Sequence, residues 1–189
     1  AGFASADVST GEFLVTECSL EYLQETVESI GPMEILIQRE DEEVFKERLP
    51  FADPVITHLE PWVFRRDYGY EILTRHFKTD SLKGFDCEDL GPGISAAGAV
   101  FHYLQETQKT DLSHIRKIVK YDDSEYMNLD SSTRRNLEIT RPMMGQSRQG
   151  TLLSVIDKTV TPMGGRNLAS WIQRPLNRLE PVAARLNGV

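Results

Sequence analysis

The chain has 189 residues, of which 40% are hydrophobic and 26% are charged, and its formal net charge at pH 7 is −8. This length accommodates one or two domains, and the composition is ordinary for a globular protein. No apolar stretch approaches the ~20 residues that a membrane-spanning helix needs, so none is expected. The two cysteines, Cys18 and Cys87, form no close-spaced metal motif, which favours a reduced, cytoplasmic compartment.

The charge is distributed unevenly along the chain. Residues 1–60 contain 14 acidic and 3 basic side chains, residues 61–120 contain 8 and 9, and residues 121–189 contain 7 and 9. Because an acidic surface repels phosphate groups, the first third is not expected to bind DNA. Two interpretations remain for it, a solvated acidic face or a surface for a basic protein partner.

A β-hairpin is predicted at the start of the chain. Residues 3–8 and 12–18 carry aromatic and β-branched side chains on alternating faces. Gly11, between them, can adopt the positive φ that a short turn with a bulge often needs. A helix is then predicted, with Ser19 as its N-cap and Gly31 at its end.

A strand, a helix and a second strand are predicted next, over residues 34–37, 41–49 and 55–59. Pro50 is expected to end the helix. The continuous apolar run at residues 35–37 predicts a strand that is buried on both faces. The resulting order, β-β-α-β-α-β, predicts an α/β domain with some parallel strand pairing.

Two further helices complete this part. One is predicted over residues 65–77, and the other is marked by apolar residues between Ile94 and Leu104. Small side chains at residues 96–99 would let the second helix lie close to a neighbour. A domain boundary is predicted at residue 107, where a polar segment begins.

The remainder of the chain has a different pattern. Ile115, Ile118 and Tyr121 alternate poorly, which predicts an extended linker. Helices are then predicted over residues 131–139, 151–156, 162–171 and 180–186.

Several motifs resemble the MutS family of DNA mismatch-repair proteins. Residues 130–138 read Asp-x-x-Thr-Arg-Arg-Asn-Leu-Glu, and residues 150–153 read Gly-Thr-Leu-Leu. Residues 161–176 read Thr-x-Met-Gly-x-Arg-x-Leu-x-x-Trp-x-x-x-Pro-Leu, which is the most specific block. Upstream, Asp7 to Phe13 resembles the opening hairpin of the family's connector domain, and segments between Leu82 and Gln108 resemble its closing part.

The resemblance implies that the chain is a fragment. Residues 1–107 would be the connector, an α/β domain with a ribonuclease H-like mixed sheet and flanking helices. Residues 108–189 would be the first part of the helical core, an incomplete all-α segment with exposed apolar surface. The mismatch-reading domain and the ATPase would lie outside the chain. The parent would use ATP and Mg²⁺, bind mismatched DNA, recruit a MutL-type partner and form a homodimer.

The motifs for the family's chemistry are missing from this chain. A P-loop needs a Gly-Lys pair so that backbone amides and the Lys side chain can bind phosphates, and the sequence has no such pair. The family inserts a Phe from a Phe-x-Glu motif into the base stack. Phe45 and Glu47 fit that pattern, but their acidic surroundings favour a chance match. No catalytic residue, cofactor site or metal site is therefore assigned.

A ribonuclease H-like fold also raises the alternative of a nuclease, which needs several carboxylates around two Mg²⁺ ions. Asp7 follows the first strand and Glu60 follows a later one. Further carboxylates lie on the first helix, at Glu21, Glu25 and Glu28. Asp7 is more simply explained as a residue that stabilises the turn. The four histidines, which are His58, His76, His102 and His114, show no metal-ligand spacing.

The helix predicted at residues 65–77 is the best candidate for binding a partner protein, since exposed aromatic and Arg residues are enriched at interfaces. Its candidate docking residues are Trp62, Arg65, Arg66, Tyr70, Glu71 and Arg75. The alternatives are an ordinary charged helix exterior and a generic protein-interaction module. Arginines of the second part, at residues 134, 135, 141, 148 and 166, are expected to pair within the chain rather than to bind DNA.

Overall fold

The computed structural model describes residues 1–48, 54–108, 112–121, 126–127, 129, 131–143 and 149–187. The chain divides into two compact units. Unit 1 comprises Ala1–Val27 and Gly31–Tyr121, and unit 2 comprises Glu28–Ile30 and Asp122–Val189. Within the described ranges, no helix combines the length and the apolar character that crossing a membrane would require.

Unit 1 begins with the predicted hairpin. Strand β1 (Gly2–Asp7) pairs antiparallel with β2 (Glu12–Glu17), in a register that places Asp7 opposite Glu12. Gly11 has a φ of 75°, in the left-handed region where a side chain would be strained. The Asp7 carboxylate accepts hydrogen bonds from the N–H of Ser9, at 2.8 Å, and from that of Thr10, at 3.3 Å. The predictions of the hairpin and of a turn-stabilising Asp7 are confirmed.

Helix α1 (Leu20–Ile30) has the predicted ends. The Ser19 hydroxyl accepts a hydrogen bond from the N–H of Tyr22, which satisfies one of the free donors of the first turn. Gly31 ends the helix with a φ of 60° and donates its N–H to the carbonyl of Val27. The sequence was sufficient to predict both ends of α1, because the hydrogen bonds of Ser19 and Gly31 each span about one helical turn.

A second sheet contains two parallel strands, β3 (Glu34–Ile37) and β4 (Val55–His58). Between them lie a 3₁₀ turn and helix α2 (Glu42–Arg48). Pro50, the predicted end of that helix, lies outside the described residues. The prediction that β3 is buried on both faces is wrong. Its apolar side chains are half-buried, since among the described strands β3 pairs with β4 alone.

Helices α3 (Arg66–Phe77) and α4 (Pro92–Thr107) pack closely together in unit 1. A Cβ placed on Gly98 would lie 2.2 Å from the Cα of Gly69, so the two backbones touch where neither residue has a side chain. This confirms that the small residues of α4 permit a close approach. The Glu17 carboxylate accepts the N–H of Gly93 at 2.8 Å, which places a negative charge at the N-terminus of α4.

Residues 112–121 belong to unit 1, and the prediction of an extended linker is wrong. Strand β5 (Val119–Lys120) pairs parallel with β2, and the Tyr121 N–H donates to the Val15 carbonyl at 2.7 Å. Leu112, Ile115 and Ile118 are buried in the same core as Phe13 and Phe101. Their irregular spacing reflects a turn and an extended segment that insert apolar side chains at uneven intervals.

Unit 2 is helical in its described residues. It contains α5 (Ser131–Asn136), α6 (Leu152–Ile156), α7 (Pro162–Gln173) and α8 (Leu179–Asn187). The hydroxyls of Thr151 and Thr161 cap α6 and α7 by accepting N–H groups of their first turns. An isolated antiparallel bridge joins Tyr126 and Leu176.

The described strands therefore form two sheets, one ordered β1-β2-β5 and one of β3 and β4. The mixed α/β content is confirmed. These strands do not join into one sheet, so the description of the fold as ribonuclease H-like stays a prediction.

Candidate protein-interaction site

Helix α3, which carries most of the predicted docking residues, is fixed firmly in unit 1. Gly69, Ile72 and Leu73 are buried on the side that faces the core. The helix begins after Arg65, whose backbone is extended, and ends at Lys78, which adopts a φ of 53° and donates its N–H to the Thr74 carbonyl. The opposite side of the helix is therefore presented to solvent on a rigid support.

The six predicted docking residues do not form one patch. Residues two positions apart lie about 200° apart around a helix, so Tyr68 and Tyr70 belong to opposite flanks of α3. Trp62 lies beside Tyr68, whereas Arg66 lies beside Tyr70. Glu71 and Arg75 are on the outer face, and Arg65 is exposed at the start of the helix.

The first flank is an aromatic cluster of three rings. Trp62 meets Tyr68 edge to face at 4.9 Å between centroids, and it meets His102 of α4 in the same way at 5.3 Å. The Tyr68 hydroxyl and His102 Nδ1 are 2.7 Å apart, a hydrogen bond that joins α3 to α4. Burial, followed by the charge of Glu106, raises the pKa of the Tyr68 hydroxyl. The sequence assigns no role to His102, and only these tertiary contacts reveal one.

The second flank ties α3 to the loop that follows it. The Tyr70 hydroxyl donates to the Glu88 carboxylate at 3.1 and 3.2 Å, and that carboxylate also accepts the Leu82 N–H at 2.9 Å. The Arg66 guanidinium lies 5.9 Å from the centre of the Tyr70 ring and donates to the Glu88 carbonyl. Burial and the bond to Glu88 raise the pKa of Tyr70. Tyr70 therefore has a clear structural role, and sequence spacing gave no signal for Glu88.

The outer face presents an ion pair to solvent. Arg75 donates to the Glu71 carboxylate at 2.5 Å across one helical turn. The two side chains are 74% and 66% exposed, so the pair contributes little to folding, and both charges are accessible to a partner.

The remaining sequence candidates have structural roles in unit 1. His58 Nε2 lies 2.9 Å from the Glu42 carboxylate, which also accepts from Lys46. His76 and His114 bond through Nε2 to the carbonyls of Ile115 and Val8, at 2.7 and 2.8 Å. The bonds of His76 and His114 fasten residues 112–121 to the rest of the unit.

The nuclease carboxylates are not brought together in the described part of the chain. Asp7 is engaged in its turn, Glu60 is exposed, and the side chains at 21, 25 and 28 lie outside the described set. Among the described residues, no group of three or more His, Cys, Asp or Glu side chains is arranged to hold a metal ion.

Two arginines of unit 2 contact aromatic rings of the same unit. The Arg174 guanidinium lies 5.4 Å from the Tyr126 ring centre, and Arg185 lies 4.8 Å from that of Trp171. The sequence candidates Arg135, Arg141 and Arg166 are exposed and have no ion pair with another described residue. Arg148 lies outside the described residues. Intramolecular pairing of the exposed arginines therefore stays a prediction.

Comparison with known proteins accounts for both units. The family model of MutS domain II matches residues 1–116, and that of MutS domain III matches residues 132–189. The DNA mismatch repair protein MutS of Salinibacter ruber is 42% identical over 188 residues, which cover all of this chain and 21% of that protein. The MutS proteins of Chlorobium phaeobacteroides and Cytophaga hutchinsonii are 44% and 40% identical, and in each case all of this chain matches 22% of the relative. The chain, which spans about a fifth of the length of these relatives, belongs to the MutS family and matches its domains II and III.

Proposed function

We propose that this chain is a non-catalytic part of a MutS-type mismatch-repair protein. Unit 1, which contains most of the predicted connector residues 1–107 together with residues 112–121, acts as the connector and relays conformational change between the mismatch-binding end and the ATPase end. The rest of the predicted core segment, residues 108–189, begins the helical core. The observation that carries this proposal is the match of the whole chain to one continuous part of MutS proteins. The lack of a Gly-Lys pair, which a P-loop requires, supports a role without ATP hydrolysis.

A relay requires an element that transmits force without deforming. The glycine contact between α3 and α4 and the buried aromatic residues support such stiffness in unit 1, because closely packed interiors deform little. Residues 112–121 fix the C-terminal end of unit 1 to its central sheet through β5. A relay also requires two arrangements whose balance both ends can bias.

The parent protein supplies the chemistry in this proposal. It binds ATP and Mg²⁺, recognises mismatched DNA, forms a homodimer and works in the cytoplasm, while this part makes little direct DNA contact. The strongly acidic residues 1–60 support that last point. A ribonuclease H-like fold of the connector is supported by the antiparallel hairpin β1-β2 and the parallel β3-α2-β4 unit. A nuclease is disfavoured, because the Asp7 carboxylate is used by its own turn.

We further propose that the outer face of α3 helps to dock a MutL-type partner. The candidate residues remain Trp62, Arg65, Arg66, Tyr70, Glu71 and Arg75. Support comes from the exposure of the Glu71–Arg75 pair on a rigid helix. Such a pair can be reversed without disturbing the core, which makes the proposal easy to test. Tyr70 is a poorer probe, because its removal would also release Glu88 and the Leu82 N–H.

The test is calorimetric titration of MutL into the 189-residue chain and into three variants. Arg75→Glu is expected to weaken binding about fivefold or more, since charge reversal at an interface juxtaposes like charges. The double variant Glu71→Arg with Arg75→Glu restores the intramolecular pair and should stay weak, which separates docking from helix stability. Glu47→Arg, an exposed change on α2, is the control.

Equal affinity of all variants would reject docking by this face while leaving the family role intact. No binding by the folded chain, confirmed as folded by circular dichroism, would instead mean that the chain lacks a self-sufficient docking site. The relay proposal would then be tested by introducing Gly98→Ala into the parent protein and measuring mismatch-dependent ATP turnover.

A further inference from the structure

The aromatic cluster beside α3 holds a tryptophan in an unusual position. Trp62 lies on a short 3₁₀ turn (Pro61–Phe64), and its side chain is 47% exposed. Its ring is nevertheless held by edge-to-face contacts with Tyr68 and His102, which are themselves joined by a hydrogen bond. A large ring that is fixed in place yet half-open to solvent loses little conformational entropy when a partner covers it.

Within the described residues, the indole N–H of Trp62 has no acceptor and its ring has no cation over it. Trp62 Nε1–H donates to none of the described residues. No described Arg or Lys lies over the ring, whereas Tyr70, Tyr126 and Trp171 each have an arginine at 4.8–5.9 Å. Of the nearby cations, Arg66 and Arg75 are engaged with Tyr70 and Glu71, whereas Arg65, whose N–H bonds to the Trp62 carbonyl, is exposed.

Carboxylates lie next to the cluster. Glu106 follows His102 by one turn of α4, so it shares the same face of that helix, and its charge acts on the Tyr68 hydroxyl. Glu60 is exposed at the start of the turn that carries Trp62. Neither carboxylate forms an ion pair with a described residue.

We propose that Trp62, Glu106 and Glu60 form a receptor for an arginine side chain of a basic partner segment. The guanidinium would stack on the exposed face of Trp62, with Glu106 or Glu60 as its counter-ion, and a backbone carbonyl of the partner would accept the Nε1–H. Arginine suits this site better than lysine because its planar group can stack on the ring and still donate to a carboxylate in the same plane. A nucleic-acid partner is disfavoured by the neighbouring carboxylates.

This inference rests on the proposed docking function only for the identity of the natural partner. It adds that the partner contributes arginine, and that the contact extends from the outer face of α3 to the Trp62 flank. The arginine receptor and the docking function can fail separately, because the receptor is tested with a peptide and the docking function is tested with MutL.

The experiment is a titration of the ¹⁵N-labelled chain with acetyl-Arg-Arg-Arg-amide, followed by the two indole Nε1–H signals. Trp171→Phe assigns the signal of Trp62. A saturable shift of the Trp62 signal is expected, with little change at Trp171, whose ring already carries Arg185. The peptide acetyl-Lys-Lys-Lys-amide, which has equal charge, should bind about threefold more weakly. Acetyl-Glu-Glu-Glu-amide should leave both signals unchanged.

Variants distinguish specific binding of the arginine peptide at Trp62 from general attraction of a cationic peptide to an acidic surface. Glu106→Gln is expected to weaken binding of the arginine peptide about twofold to threefold, whereas Glu47→Gln, the same change on α2, should have no effect. Trp62→Phe keeps an aromatic ring but removes the N–H, and should weaken binding as seen at the backbone amides of Tyr68 and His102. An absent Trp62 shift, or equal losses for Glu106→Gln and Glu47→Gln, would overturn the proposal.

Discussion

The two units bury their apolar side chains to very different extents. In the described residues, unit 1 has a continuous core that includes Phe13, Leu73, Ile94, Phe101 and Ile118. In unit 2, by contrast, the described residues of α7 and α8 include no buried side chain, and Val160 is 97% exposed. Several other large apolar residues of unit 2 are exposed, namely Leu152, Val155, Met163, Leu179 and Leu186.

This difference shows that the units have different sources of stability. In unit 1, α4 packs against β1, β2 and α3, so burial of apolar surface stabilises this part of the unit. The helices of unit 2 depend more on local features, such as the threonine caps at their starts and the Arg–aromatic contacts. Large exposed apolar side chains favour association with another surface, and we expect self-association of the isolated chain.

The largest expected effect is the loss of a core side chain from residues 112–121. Ile118→Ala should lower the free energy of unfolding of unit 1 by about 2–5 kcal/mol, because it leaves a cavity where a 2% exposed side chain packs. Urea unfolding, followed by Trp62 fluorescence in a Trp171→Phe background, measures it. The matched control is Val119→Ala, whose side chain is 37% exposed and whose cost should stay below about 1 kcal/mol. Equal, small effects would place this segment outside the folding unit.

The next largest loss of stability is expected at the contact between α3 and α4. Gly98→Ala should destabilise unit 1 by about 1–3 kcal/mol, because the added methyl group would press on the backbone of Gly69 and separate α3 from α4. The intrinsic preference of alanine for helices offsets only part of this cost. Gly84→Ala, which places its methyl group in open space, is the control. Thermal unfolding of both variants checks the prediction, and a more stable Gly98→Ala protein would contradict it.

A smaller effect is expected from a single cap in unit 2. Thr161→Ala removes the hydroxyl that accepts the Gly164 N–H, and should cost about 0.5–2 kcal/mol in unit 2. Trp171 fluorescence in a Trp62→Phe background reports on this unit during urea unfolding. Thr161→Ser retains the acceptor and should recover most of the loss. If alanine and serine behave alike, the cap is not a source of stability.

The smallest effect is measured with the Cys87 thiol as a reporter of how often unit 1 opens. Burial, with a contribution from Asp86, raises the pKa of Cys87 to about 11. At pH 8, a disulfide reagent should therefore label the half-buried Cys18 first, and Cys87 only when unit 1 opens. Cys18→Ser isolates the slow reaction, and Ile118→Ala should accelerate it. Labelling of both thiols at one rate under native conditions would contradict a closed core.

The same thiol gives a pH dependence with a definite sign. Because its pKa is raised in the folded state, Cys87 holds its proton more tightly there than in the unfolded chain. This contribution to stability is complete below the ordinary thiol pKa of 9.0 and is lost as the pH rises towards about 11.

The sequence by itself determined the features that act over short distances. The Gly11 turn, the Ser19 and Gly31 caps of α1, and the starts of α6 and α7 were all predicted, since each depends on hydrogen bonds within a few residues. The motifs around residues 130–176 also identified the family, because their order is specific even without a structure.

Only the tertiary structure decided which distant groups meet. It placed residues 112–121 in the core of unit 1, turned Tyr70 towards Glu88, and joined His102 to Tyr68 and Trp62. No periodic pattern in the sequence predicts these contacts, because each joins residues that are 18 to more than 100 positions apart. The sequence therefore identified the candidate docking residues one by one. Their separation into two flanks and an outer face became visible only when α3 was seen packed against α4.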